Sequence, residues 1–342
     1  MRSFLVLLTF CLLSTAWAGD ATASQSSPLY LALGDSLAAG VGASEPSDSG
    51  YVGLVYDALL TDPAFFNDLT LMNLGDPGET TTSMLASGDQ MEQALAEIES
   101  RRNDGVGGNE AVVISIDIGA NDFIPLVLGD SPCLPNPLAQ ACQNAAAPAL
   151  ATFRANFADI MRRLRAAAGP EVEIVALGLY NPLSGTGGSF DAVGDAAVEL
   201  FNRNVATTVA QPDIEARLAD ILPFFQGRGP ELTHAAELPP DVHPNDSGHY
   251  LMALAVVTAL GLPAEAVATP PSGAPPVATL SSTPATRPPT SLFSVTPAST
   301  VPALPSIGGE GDGDTPWAVY IGLIVAGIVV ATGLLVLVRR RR

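Results

Sequence analysis

An α/β domain with a parallel sheet is predicted for residues 28–262. Short apolar runs alternate with amphipathic stretches along this segment, which is the pattern of strand and helix units wound into one sheet. Its roughly 235 residues can bury a sizeable core. The first three apolar runs are each followed by polar residues suited to chemistry, and a parallel sheet collects its functional loops at the carboxyl ends of its strands.

Five short apolar runs are the strand candidates: Leu29 to Gly34, Leu69 to Leu74, Ala111 to Ile118, Val172 to Leu179 and Arg217 to Leu222. Helices are expected on the amphipathic stretches between and after them, over Tyr51 to Leu60, Thr81 to Arg102, Pro148 to Ala168, Phe190 to Val209 and Ser247 to Leu260. Gly75-Asp76-Pro77-Gly78-Glu79-Thr80 reads as a turn with a helix start behind it. On this layout the ends of strands one, two and three lie side by side and carry Ser36, Gly78 and Asn121.

The flanking segments predict export and anchoring. Residues 1–18 have a basic start, a short apolar stretch from Phe4 to Leu13, and a small-x-small site at Ala16-Trp17-Ala18, which is a secretory signal. Residues 19–27 form a short N-terminal extension. Trp317 to Val338 is an uncharged apolar run of 22 residues, long enough to cross a bilayer as a helix, and residues 339–342 are all arginine. Arginines flanking a span stay cytoplasmic, so the rest of the chain is expected at the cell surface. Between them, residues 263–316 shift to Pro, Ser, Thr and Ala and form a disordered stalk. A different reading of the tail starts from Leu304-Pro305-Ser306-Ile307-Gly308, which loosely resembles a sortase substrate with Ile307 where threonine is needed.

The exported part holds ten arginines and no lysine against 35 acidic side chains, a formal charge of −25. That excludes nucleic acid as a partner, because a phosphate backbone requires a basic footprint. Of three cysteines, Cys11 leaves with the signal. Cys133 and Cys142 remain in an oxidising compartment and are expected to form a disulfide.

The chemistry centres on Ser36 in Leu33-Gly34-Asp35-Ser36-Leu37. A neutral hydroxyl is a poor nucleophile and needs a histidine within hydrogen-bond reach. His234 and His249 sit in an irregular stretch and inside the last helix, where packing or surface roles suffice. His243, in Pro239-Pro240-Asp241-Val242-His243-Pro244-Asn245, lies in a proline-rich loop that can project the imidazole into a cleft. Acyl transfer also develops charge on a carbonyl oxygen, which the N–H groups of Ser36 and Gly78 and the amide of Asn121 could meet. A plain turn glycine at Gly78 and a helix cap at Asn121 are the ordinary alternatives. Asp35 and Asp122 are expected to bond locally to backbone at the strand ends. The loops Gly40 to Gly50 and Asn181 to Ala192 are expected to border the cleft.

Gly34-Asp35-Ser36-Leu37, Gly78 in Pro-Gly-Glu-Thr, Asn121 in Gly-Ala-Asn-Asp and His243 in Asp-Val-His-Pro-Asn appear in the order of the SGNH/GDSL hydrolase family, which residues 28–262 resemble. The resemblance implies a flavodoxin-like three-layer α/β/α sandwich with a five-stranded parallel sheet. It implies hydrolysis of acyl esters, whether of small molecules, lipids or acylated glycans, through an acyl-serine, with no metal or organic cofactor. Ser36 is then the nucleophile, His243 the base and acid, and Ser36, Gly78 and Asn121 the oxyanion donors. The family pattern resembles Asp-x-x-His, whereas Pro240 stands three before His243 and the acid, Asp241, two before it. Either Asp241 or a backbone carbonyl orients the imidazole. A polysaccharide deacetylase, or a surface binding module on a decayed hydrolase scaffold, would share this pattern.

Overall fold

The computed structural model describes residues 27–63, 68–126, 130–133, 139–187, 189–238 and 241–268. The signal segment, the extension before Ser27, the stalk beyond Ala268 and the apolar span all lie outside these residues. The first residues assigned to the stalk, 263–268, instead belong to the head, where Ala264–Ala266 form a single 3-10 turn and Val267 is buried in the core beside the helix Asp246–Ala259. Among the described residues no helix is long and apolar enough to cross a membrane.

Five strands, β1 (Leu29–Gly34), β2 (Thr70–Asn73), β3 (Ala111–Asp117), β4 (Glu173–Leu177) and β5 (Arg217–Ala219), pair in parallel in the order β2-β1-β3-β4-β5. The sheet is covered on both faces, so its central strands read as unbroken apolar runs. Strand β1 is buried at all six positions. Its alternate residues divide between two cores: Leu29, Leu31 and Leu33 join one, Tyr30 and Ala32 the other.

The first core is closed by α3 (Gln90–Asn103), α5 (Gln140–Ala168) and α6 (Ser189–Val209), through Met91, Ile98, Phe153, Phe157 and Phe201. The second is closed by α1 (Tyr51–Leu60) and α9 (Asp246–Ala259), through Val55, Leu59, Leu251, Met252 and Val256. Helix α9 is buried continuously from Gly248 to Val257, which accounts for its apolar sequence without a polar stripe. Short helices α2 (Thr81–Met84), α4 (Ala120–Phe123), α7 (Leu222–Phe225) and α8 (Gly229–Leu232) punctuate the loops at the carboxyl end of the sheet.

Two helices depart from the sequence reading. The stretch expected as one helix from Thr81 to Arg102 is two, because Gly88 turns the chain at φ +83° and Asp89 then caps α3 by accepting the Gln90 N–H at 2.9 Å. Helix α5 begins at Gln140 rather than at Pro148. An interior proline forfeits one backbone hydrogen bond; here the turns before it carry buried Cys142 and Ala146, and the Cys133–Cys142 disulfide fixes them to the preceding loop. The strands other than β1 are each shorter than the apolar runs that announced them.

Candidate active site

The loops after β1, β2 and β3 and the segment before α9 converge on one cavity of about 700 Å³. The first loop begins at Gly34, whose φ is +149° and where a Cβ would strike the Asp117 side chain at 2.6 Å; only glycine lets β1 close against that residue. Asp35 follows, buried, with Oδ1 accepting the Leu37 N–H at 3.0 Å, the local bond expected of it. That bond folds the turn and presents Ser36 to the cavity.

Ser36 Oγ lies 2.9 Å from His243 Nε2 and 3.5 Å from Asp35 Oδ1, so its proton is directed at the imidazole. His243 Nδ1 lies 2.5 Å from Asp241 Oδ1, and the same oxygen accepts the His243 backbone N–H at 3.1 Å. A carboxylate cannot donate, so Nδ1 carries the hydrogen and Nε2 is left as the acceptor facing the serine. The hydrogen bond from His243 pulls the Asp241 carboxyl down to about 2, so it is an anion under all ordinary conditions. Asp241 therefore reaches the ring from two residues away.

Chain pairing holds this segment. Thr233 and Pro244 form an antiparallel bridge, the His234 N–H donates to the His243 carbonyl at 3.1 Å, and the Asp241 N–H donates to the His234 carbonyl at 3.2 Å. The Tyr180 hydroxyl donates to the Val242 carbonyl at 2.7 Å. The prolines invoked from sequence, Pro239 and Pro240, lie outside the described residues. The other two histidines support the facing loop: His234 Nε2 donates to the Gly42 carbonyl at 2.8 Å and His249 Nε2 to the Val41 carbonyl at 3.1 Å. Ser44 completes the attachment, with its N–H and hydroxyl each 2.7 Å from the Asp246 carboxylate. These roles were invisible in sequence because each partner lies about 200 residues away.

Gly78 sits in the cavity wall at φ +96°, with no atom within 4 Å of where a Cβ would project. Among the described residues the N–H groups of Ser36 and Gly78 have no protein acceptor. Asn121 also lines the cavity, inside α4 and not as its cap, which is Gly119. Its two amide hydrogens are already donated, to Asp35 Oδ2 at 3.1 Å and to the Glu79 carbonyl at 2.9 Å. Asp122 also reaches beyond its own turn: its carboxylate accepts the Thr81 N–H at 2.9 Å and the Thr81 hydroxyl at 2.5 Å, tying α2 to α4. Of the two loops expected at the rim, Gly40 to Gly50 contributes Val41 and Asn181 to Ala192 contributes Pro182.

The profile of the GDSL-like Lipase/Acylhydrolase family matches residues 32–251. Among solved structures, the chain resembles a lipase, Lip_vut3, from a goat rumen metagenome, at 23% identity and a TM-score of 0.51 over 70% of this chain and 100% of that one. It also resembles Axe2, an acetylxylan esterase from Geobacillus stearothermophilus, at 19% identity and a TM-score of 0.45 over 70% of this chain and 98% of that one. A comparison with curated proteins returned no match. The family match spans well over half of the chain and encloses the hydrogen-bonded row of Ser36, His243 and Asp241. On that ground the chain belongs to the GDSL-like Lipase/Acylhydrolase family, as a serine hydrolase acting on ester bonds.

Proposed function

We propose that this protein is an exported, membrane-tethered esterase that cleaves carboxylic esters at the cell surface through an acyl-serine. The observation that carries the catalytic reading is the unbroken row from Ser36 Oγ to His243 Nε2 at 2.9 Å and from His243 Nδ1 to Asp241 Oδ1 at 2.5 Å. Ser36 Oγ attacks the ester carbonyl carbon while its proton passes to His243 Nε2. The Asp241 anion holds Nδ1–H and stabilises the imidazolium that results. The carbonyl oxygen becomes an anion and accepts the N–H groups of Ser36 and Gly78, each worth about 3 kcal/mol in such a pocket. His243 then gives its proton to the departing alcohol oxygen as the carbon–oxygen bond breaks. A water repeats the sequence and frees Ser36.

Asn121 enters as a third donor by sharing one of the two hydrogens it now commits to Asp35 and Glu79. Export and tethering rest on the composition of residues 1–18 and 317–338, with the Pro-, Ser- and Thr-rich residues 269–316 as the stalk between head and membrane.

A fluorophosphonate probe tests the reading. Ser36 is expected to be modified in the folded wild type and not in Ser36→Ala or heat-unfolded protein. Native protein that stays unlabelled and hydrolyses no ester would make the head a binding module.

A further inference from the structure

The cavity straddles the carboxyl edge of the sheet, and its two sides differ in chemistry. Val41, Val242 and His243 stand on the side of α9: the Val41 carbonyl accepts from His249 of α9 at 3.1 Å, and Val242 and His243 belong to the segment just before that helix. Ile124, Leu179, Val198 and Phe201 stand on the side of α5 and α6, and the last three belong to the first core. Because His243 must hand its proton to the leaving alcohol, the alcohol occupies the α9 side. The acyl chain is then directed to the α6 side.

That side is apolar and rigid. Phe201 is fully buried just behind this wall, edge-on to Phe123 with centroids 6.0 Å apart and 4.6 Å from the Phe153 ring, so the subsite is backed by the core. The polar side chains elsewhere on the cavity wall are committed. Tyr180 donates to the Val242 carbonyl, Asn121 to Asp35 and Glu79, and Asp35 accepts from Leu37 and Asn121. Ile124, Leu179, Val198 and Phe201 carry no polar side-chain atom, so this side offers an acyl chain apolar contact and no hydrogen bond. An acetyl group would leave this apolar side largely unfilled. At roughly 30 Å³ per heavy atom, the volume of a water-sized group, an eight-carbon acyl ester of a small alcohol takes ~400 Å³, which the 700 Å³ cavity holds.

The geometry points to an acyl subsite made by Ile124, Leu179 and Val198, backed by Phe201, that takes unbranched chains of about six to ten carbons, at the scale of an ordinary small-molecule site. This inference rests on the serine-esterase reading above and adds the substrate class to it.

Nitrophenyl esters of two, eight and sixteen carbons, with acetylated xylose as the glycan ester, separate the possibilities. Each buried methylene is worth roughly fourfold, so the octanoyl ester is expected to exceed the acetyl ester in kcat/KM by at least ~30-fold. Val198→Phe and Ile124→Phe fill the subsite from two elements, and each is expected to lower the octanoyl-to-acetyl ratio by about tenfold or more. Calorimetry on Ser36→Ala should detect octanamide and not acetamide, and Val198→Phe should weaken that binding. A preference for acetyl esters or acetylated xylose, a ratio untouched by both variants, or no binding of octanamide overturns the inference even when the probe labels Ser36. An unlabelled Ser36 with no ester hydrolysed defeats the esterase reading itself, and octanamide binding then reports the cavity alone.

Discussion

Asp35 donates its backbone N–H to Asp117 Oδ2 at 3.1 Å, joining the carboxyl ends of β1 and β3 directly beneath the serine. Both aspartates are only 2% exposed, and the Tyr51 hydroxyl donates to the other Asp117 oxygen at 2.5 Å. Burial, with the Asp35 carboxylate as the next cause, pushes the Asp117 carboxyl well above the usual range. Asp35 is raised by burial too, yet it accepts the Leu37 N–H and the Asn121 amide, which favour its anion. Two charges cannot share this space, so Asp117 holds a proton and Asp35 the charge.

The Asp117 proton makes its amide analogue a mild change. Asp117→Asn keeps a neutral group of the same shape and is expected to unfold within a few degrees of wild type. Asp117→Leu strands the Asp35 N–H and the Tyr51 hydroxyl, at about 1–3 kcal/mol each. Thermal unfolding of the two variants checks this; an Asn variant as unstable as the Leu variant would place the charge on Asp117.

Much of this architecture was legible from residue order. The β1 run and its Gly-Asp-Ser ending fixed where a nucleophile turn must lie, because a strand buried on both faces leaves a continuous apolar signature. Helices α1, α6 and α9 also fell within a residue of their expected ends. What sequence could not carry were partners distant along the chain. Asp117 read as a strand residue; nothing local showed that Gly34, Tyr51 and Asp35 would close around it. Gly88 and Asp89, by contrast, were a readable stop and start inside the supposed single helix.

Asp241 is expected to matter through His243 alone. Its carboxylate fixes the Nδ1–H tautomer, so Asp241→Asn should lower kcat by about 10²- to 10⁴-fold while leaving KM near wild type. Its folded value of about 2 lies below the ordinary one, so the anion is present from neutral pH down past pH 4 and is lost only as pH falls through about 2. Residue 241 therefore contributes no titration of its own to the kcat profile between pH 4 and 9, and Asp241→Asn should lower kcat across that whole range. Steady-state kinetics across pH 4 to 9 reads both quantities.

Gly42 couples the rim to the histidine. Its φ is +94°, and a Cβ there would overlap the Pro244 carbonyl and press 3.0 Å from the His243 Cβ. Gly42→Ala must shift the His243 segment or its own loop, and a 1 Å misplacement of a catalytic group can cost ~10²-fold. Gly78→Ala has the same positive φ but open space around it, so strain of about 1 kcal/mol is the whole structural cost. Paired measurements of Tm, kcat/KM and the rate of fluorophosphonate labelling should show Gly42→Ala losing hydrolysis and labelling together, beyond what its Tm accounts for, because both need His243 to take the Ser36 proton, while Gly78→Ala, which keeps its N–H, loses less labelling. Equal labelling defects in both variants would argue against the coupling.

His249 gives the protein an acid-side stability limit. Its Nδ1 accepts the Tyr51 N–H at 3.2 Å while Nε2–H donates to the Val41 carbonyl at 3.1 Å, so the neutral ring serves α1 and the cavity rim together. Protonation would aim an N–H at an N–H. Burial is the main cause that lowers its value from 6.5 to about 4, with His243 and His234 nearby adding to it and Asp246 opposing. Because the folded value lies below the unfolded one, the unfolded chain takes up the proton first as pH falls. The contribution is complete above about pH 6.5, shrinks between 6.5 and 4, and by pH 4 has cost roughly 3 kcal/mol. His249→Gln can keep one acceptor and one donor without titrating. Urea unfolding of wild type and variant at pH 7, 5.5 and 4 should show the wild type losing ground to His249→Gln as pH drops. The other two histidines are common to both proteins and cancel, so a difference that stays constant over this interval would mean His249 is not held neutral by the fold.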